Sequence, residues 1–173
     1  MTNKTKQRYF AVVSKYKDKN INLPKRQTKN AVGYDFEAAE DVVIPSIWKL
    51  AFQGISKYLL GYSEKVLPVK PTLVPTGIKA YFQEDEGLFL YNRSGNPLKR
   101  GLLLANGTGV VDSDFYVSDA EGHIQFCFWN LFPFDCKISK GQRIGQGVFT
   151  KVLFVDDDVA DGKRIGGHGS TGD

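Results

Sequence analysis

Ile124-Gln125-Phe126-Cys127-Phe128-Trp129-Asn130 is the stretch that decides the fold class. Ile124, Phe126 and Phe128 alternate with Gln125, Cys127 and Trp129, and a period of two puts one apolar row on a single face of an extended strand. Outward from it, the other apolar stretches are also short and stop at turn residues: Tyr9–Tyr16, Thr72–Phe82 with an interruption at Pro75–Gly77, Gly87–Tyr91 and Ile144–Val155. Many short strands without alternating helices predict an all-β sandwich or barrel. At 173 residues the chain suits one domain with a genuine core, and a hydrophobic content of 42% excludes disorder for most of it.

One segment breaks the strand pattern. From Ile47 to Tyr62, apolar residues fall at 48, 51/52, 55, 58/59 and 62, which is helical spacing, with Pro45 and Ser46 suited to the start. The sequence leaves two readings of this 47–62 helix open: an insertion packed on the sheet, or a surface for a protein partner or for subunit assembly.

Charge is unevenly placed. Residues 1–30 carry nine basic side chains against the single acid Asp18, while the whole chain is only +4. Such a segment could attract polyanions, but it lacks interleaved aromatics and a helical pattern, so it reads as a solvated arm and no specific nucleic-acid binding is expected. No run reaches about 18 consecutive apolar residues, so no membrane partner is expected. The start of the chain has no apolar signal-peptide core. Cys127 and Cys136 stand outside CxxC spacing, which predicts a reduced, cytoplasmic protein.

The tail, Gly162-Lys-Arg-Ile-Gly-Gly-His-Gly-Ser-Thr-Gly-Asp173, reads by composition as a frayed end. A glycine-rich run with hydroxyls and a cation can also wrap phosphates, because its amides can turn toward one anion. It has no Walker lysine–serine pair and no following helix, so it is not a P-loop.

Five segments change the weight of that tail. Ala31-Val-Gly-Tyr-Asp-Phe36, Asn92-Arg-Ser-Gly95, Asn106-Gly-Thr-Gly-Val-Val-Asp-Ser-Asp-Phe115, Gly141-Gln-Arg-Ile-Gly-Gln146 and Gly166-Gly-His-Gly-Ser-Thr-Gly172 occur in this order. Together they resemble the trimeric deoxyuridine triphosphatase (dUTPase) family, in the bacterial and phage form with a Gly-Gly-His-Gly-Ser-Thr-Gly ending. The resemblance implies a jelly-roll-like, β-clip subunit over residues 1–161, a homotrimer with composite active sites, and an arm over 162–173 that closes on the ligand. It implies hydrolysis of dUTP to dUMP and pyrophosphate by water attack on the α-phosphate, which limits uracil incorporation into DNA and supplies dUMP.

Roles carry over by position. Asp112 matches the carboxylate that holds and deprotonates the attacking water; a base must first be close to its water. Its alternative is a turn aspartate capping a bend. Arg93, Ser94 and Gly95 match the phosphate-binding motif, where a guanidinium and a hydroxyl donate and glycine lets the backbone approach. Gln146 matches a further phosphate contact, and Gly169, Ser170 and Thr171 belong to the arm. Asp35 matches the carboxylate that meets Mg²⁺ through water, an ion that keeps several waters and binds mainly through substrate phosphates. Asn106, Gly109, Val110, Val111 and Gln125 match positions around uracil, read largely through backbone groups. Phe115 takes the usual tyrosine's place, where a ring packs on deoxyribose and leaves no room for a 2′-hydroxyl; losing the phenol oxygen weakens the ring's support.

The departures are also specific. The last motif carries His168 where an aromatic commonly covers the uracil, so the lid falls to His168 or to Phe126, with Phe128 behind it and core packing as the alternative for both phenylalanines. Arg164 is displaced by one residue from its usual place; it or Lys163 meets the γ-phosphate, and Arg164 has the bidentate geometry. The segment Phe115–Gly122 is longer than the usual turn. A dCTP deaminase relative would need a glutamate where Cys127 stands. A regulatory, partner-binding protein on the same scaffold is the other alternative.

Overall fold

A computed structural model describes residues 7–62, 69–118, 120–162 and 164. In chain order the elements are β1 (Tyr9–Val12), β2 (Tyr34–Glu37), β3 (Val42–Ile44), α1 (Ile47–Leu59), β4 (Thr72–Tyr81), β5 (Glu86–Asn92), α2 (Gly95–Arg100), β6 (Leu102–Leu104), β7 (Gly109–Val111), β8 (Ile124–Asn130), β9 (Cys136–Ile138) and β10 (Arg143–Lys151). Two 3₁₀ turns, Ser14–Tyr16 and Ser113–Val117, complete them. One sheet runs β1-β4-β8-β6, a second β2-β10-β5-β7, and β3 pairs with β9. The neighbouring strands in these sheets pair antiparallel throughout.

The alternation that decides the fold class is realised residue by residue. On β8, Ile124, Phe126, Phe128 and Asn130 are buried and the residues between them are half-exposed. That row faces Phe36 of β2 and Leu88 and Leu90 of β5 across the gap between the sheets. Phe126 stacks on Phe128 at 6.2 Å and meets Phe36 at 5.7 Å. The architecture is the expected all-β jelly-roll-like fold; neither four-stranded sheet closes into a barrel.

Three expectations are corrected. The Tyr9–Tyr16 strand ends at Val12, where the Val13 amide leaves the ladder for the Gly77 carbonyl and the chain turns into a 3₁₀ helix that buries Tyr16. The strand from Thr72 runs through Pro75–Gly77 instead of stopping: a register shift between Pro75 and Ile78 absorbs the proline, which has no N–H to give the ladder. The last strand stops at Lys151, and Leu153 and Val155 beyond it are exposed.

The inserted helix exists with nearly its expected bounds, but it does not pack its apolar stripe on the sheet. Trp48, Phe52 and Leu59 are 65%, 74% and 75% exposed, and Gly54 is its one buried residue. Its N-terminal turn is tied down instead: the Ser46 amide and the Lys49 ammonium both donate to Asp135, and the Trp48 indole donates to the Leu131 carbonyl at 2.9 Å.

Candidate active site

The central sheet delivers the candidate residues in two groups. The first lies where β2, β10 and the end of β5 meet. Gln146 stands opposite Asp35 on one side and Tyr91 on the other, so the strand register fixes its neighbours. Asp35, its side chain only 12% exposed, faces two guanidiniums: Arg143 at 3.2 Å and Arg93 at 3.6 Å. Arg93 also donates to the Arg143 carbonyl at 3.3 Å. Gly33 lies close to this group: a Cβ on it would come within 2.5 Å of the Gln146 amide oxygen, so that side chain would have to move.

Behind this group, Asn96 is buried and donates to Asn92 Oδ1 and to the Ile144 carbonyl, both at 2.7 Å. That pair of bonds pins the Arg93-Ser94-Gly95 turn to β10. Ser94 makes no side-chain capping bond. The two ion pairs hold the Asp35 carboxylate beside the Arg93 turn and the start of β10. Among the described residues no group of three His, Cys, Asp or Glu side chains could hold a metal.

The second group surrounds Asp112. The hairpin from β6 to β7 turns at Gly107, whose φ of +69° suits glycine, and the Thr108 amide donates to the Asn106 carbonyl at 2.7 Å. It delivers Gly109, exposed Val110 and buried Val111 beside β5, where Gly109 sits against Leu90. Asp112 follows at the start of the 3₁₀ turn, and its carboxylate makes no capping bond; the capping alternative fails. The carboxylate is 54% exposed and opens on a cleft of about 690 Å³ lined also by Val110, Asp114 and Phe154. Phe115 is buried to 8% exposure just behind it.

Arg164 connects to this second group. Its guanidinium pairs with Asp112 and with Asp114, the latter at 2.7 Å, and lies 5.8 Å from the centre of the Phe115 ring. The tail's arginine is therefore at the carboxylate expected to act as base, not in the Arg93 group. Gln125 is half-exposed on β8 with its amide 3.5 Å from His123 Nδ1. Lys163, His168, Gly169, Ser170 and Thr171 lie outside the described residues.

Phe126 is corrected as a lid. It is fully buried, and the ring fills the space above Gly145, leaving no face for a base. Phe128 is equally internal at 1% exposure. Burial also pushes the Cys127 thiol upward from its ordinary value, so it offers neither a thiolate nor the carboxylate a deaminase would need. Arg143 was not singled out by the sequence; it sits within Gly141–Gln146 and opposite Glu37 in the register, and only its side-chain direction brings the guanidinium to Asp35.

The two groups sit at opposite ends of one strand. Val111 pairs with Leu88, whereas Asn92 pairs with Gly145, so Asp112 lies beside Gly87 and Arg93 is six residues further along. At ~3.3 Å per residue that is a separation of roughly 20 Å, beyond the reach of one nucleotide's triphosphate.

Comparison with known proteins matches this arrangement to one family. The dUTPase family model matches residues 59–167. The deoxyuridine 5′-triphosphate nucleotidohydrolase of Lactococcus lactis is 42% identical over 168 residues, covering 95% of this chain and 97% of that one. The chain belongs to the dUTPase family. The crystal structure of a dUTPase from Streptococcus mutans aligns with a TM-score of 0.68 at 36% identity, over 85% of this chain and 98% of that one. A dUTPase of Staphylococcus bacteriophage 80alpha aligns with a TM-score of 0.61 at 18% identity, over 91% and 97%, a likeness of fold alone. The dUTPase family match begins at the end of α1, so the helix and Asp35 lie outside it.

Proposed function

We propose that this chain hydrolyses dUTP to dUMP and pyrophosphate with Asp112 as general base, and that it works as a homotrimer whose sites draw on more than one subunit. The single observation that carries the mechanism is the Asp112 carboxylate: exposed, unused by its own turn, and held at the mouth of a cleft by a rigid strand end. A water accepted there would lose its proton to Asp112 as its oxygen attacks the α-phosphorus. The bond from that phosphorus to the bridging oxygen breaks, and pyrophosphate leaves. Arg93, Ser94 and Gln146 would take the charge that builds on the leaving group, with Asp35 aiming the guanidinium.

The substrate is taken to be dUTP with its Mg²⁺, held by phosphate oxygens and water; the ion would neutralise charge on the phosphate chain. A dUTPase of phage phi11 has been described with a structural Mg(II) ion. Asp35, which pairs with Arg93 and Arg143, would meet the ion only through water, and no step is assigned to a protein-held metal. Arg164 would exchange Asp112 and Asp114 for phosphate when the nucleotide arrives. Gln125 and the hairpin residues Asn106 and Gly109–Val111 are proposed to meet uracil. The proposed compartment is the cytoplasm, supported by two unpaired cysteines.

The trimer reading is supported by the ~20 Å between the Asp112 and Arg93 groups within one chain. It is tested by mixing. D112N and R93A are each expected to lose at least about a hundredfold in turnover. Co-expressed, randomly mixed trimers would carry about a quarter of their sites with both residues intact, if each site takes them from different subunits. Mixed preparations no more active than the parents would refute the composite site.

The exposed stripe on α1 favours a second reading beside the first, a protein-binding surface used for regulation. Serine in place of Phe52 and Leu59 is expected to leave dUTP turnover unchanged, which kinetics on the purified double variant would show.

A further inference from the structure

Phe115 lacks the phenol oxygen of the usual tyrosine, and the structure shows what stands in its place. The 3₁₀ turn Ser113–Val117 is gripped from two sides. Phe115 points inward, 8% exposed and part of the main core. Its neighbour Tyr116 points the other way, onto the outer face of β1 and β4. There its ring meets Tyr9 edge-on at 6.0 Å and Tyr81 edge-on at 5.7 Å, while Tyr9 and Tyr81 stack on each other at 5.1 Å. The Tyr116 and Tyr9 hydroxyls are 3.3 Å apart, and the Lys79 ammonium lies 4.8 Å over the Tyr116 ring.

The return of the longer loop closes on the same two residues. Glu121 accepts from the Ser14 amide at 3.0 Å and pairs with Lys79 at 3.5 Å. Gly122, at φ +64°, passes so close that a Cβ would stand 2.8 Å from both the Phe115 carbonyl oxygen and the Tyr116 Cα. Glu121 itself adopts φ +51°, a conformation non-glycine residues rarely take. The backbone of Phe115–Tyr116 is thus confined by β1, β4 and its own loop.

We propose that Tyr116, braced by Tyr9, Tyr81 and Lys79, is a positioning residue that fixes the Phe115 ring and so sets the preference for deoxyribose over ribose. This rests on the reading that Phe115 packs against the sugar. A ring free to tilt would open the space a 2′-hydroxyl needs, so loosening Tyr116 should raise activity on UTP more than it lowers activity on dUTP. The brace is made mostly of ring contacts, since a hydroxyl pair at 3.3 Å is long for an O–H···O bond.

The test measures kcat/KM for dUTP and for UTP in Y116A, Y116F, Y9F and F115A, with melting temperatures alongside. Y116A should cut the dUTP/UTP ratio by about tenfold, and Y116F and Y9F, which keep the rings, by no more than about twofold. The change should fall mainly on KM and kcat for UTP, which a general loss of stability would not single out. A folded Y116A with the wild-type ratio overturns the proposal. If Y116A fails to fold, Y81A and K79A remove two braces singly, and unchanged ratios in both overturn it. If F115A reduces the ratio and the brace variants do not, Phe115 keeps its role and the proposal alone falls. If F115A itself leaves the ratio unchanged, the sugar reading falls and takes the proposal with it.

Discussion

Replacing Phe126 with alanine separates a core residue from a lid by two measurements that move in opposite ways. The ring is fully buried, stacked on Phe128 and tilted against Phe36, and it covers Gly145 of β10 so closely that a Cβ there would stand 2.5 Å from Phe126 Cδ1 and Cζ. Truncating a buried phenylalanine to alanine costs about 3–5 kcal/mol, because transfer and cavity terms add. For a chain of this size each kcal/mol lowers the melting temperature by about 2–4 °C, so F126A should melt roughly 6–20 °C below wild type. KM for dUTP, measured well below that transition, should stay within about twofold. A second arm uses the glycine. G145A drives a methyl into the ring and should cost at least ~1–3 kcal/mol, whereas in an F126L background the Cε and Cζ atoms are gone and the cost should shrink by ~1 kcal/mol or more. An F126A protein that melts like wild type with KM raised about tenfold would refute the core assignment and restore the lid.

Two pH responses follow from buried charges. Glu86, its side chain 3% exposed, is held below the usual glutamate value of 4.5 chiefly by the hydrogen bond from Arg8. A depressed carboxyl stabilises the fold above its unfolded value and loses that contribution as pH falls through the folded one. The melting-temperature gap between wild type and E86Q should therefore be widest near neutrality and close below pH 4.5. Tyr16 moves the other way: burial, then its bond to Glu40, push it up to about 12 from 10.0. Between those values the unfolded chain has released the proton and the folded one has not, so stability is lost as pH rises from 10.0 toward about 12. Melts of Y16F across that window should fall less steeply than wild type; equal slopes would mean Tyr16 does not carry the response.

The β8 strand was legible because alternation is local: seven residues carry the whole signal, and the buried row is the one the period names. The helix was legible for the same reason, yet the side it would present was not. Helical spacing says that one face is apolar, not that this chain has a partner for it, and the anchoring through Asp135 and Leu131 spans more than eighty residues. The Asp112 motif could be matched by order, but whether its carboxylate capped the turn depended on side-chain direction. Phe126 was open between two roles because the same alternation serves a core face and a ligand face. Long-range braces such as Arg8–Glu86 and Tyr9–Tyr116 left no trace in spacing at all.

The placement of the two residue groups supports the proposal that assembly and chemistry are inseparable in this protein. Productive geometry tolerates errors of only about 0.5 Å, and loops rarely hold that alone. Here each group is set by the register of β5: Asp112 through β7 at one end, Gln146 and Asp35 through β10 at the other. A strand inside a four-stranded sheet cannot shorten to bring its ends together, so no lid motion within one chain joins the base to the Arg93 group. In the proposed trimer, docking of one rigid copy against another would do so without loosening either half. The same strand end places Asp112 and Asp114 where both pair with Arg164, so the proposed mechanism requires the substrate phosphate to take that guanidinium from them. In that proposal the substrate phosphate would be both the ligand and the competitor that frees the carboxylate for its water.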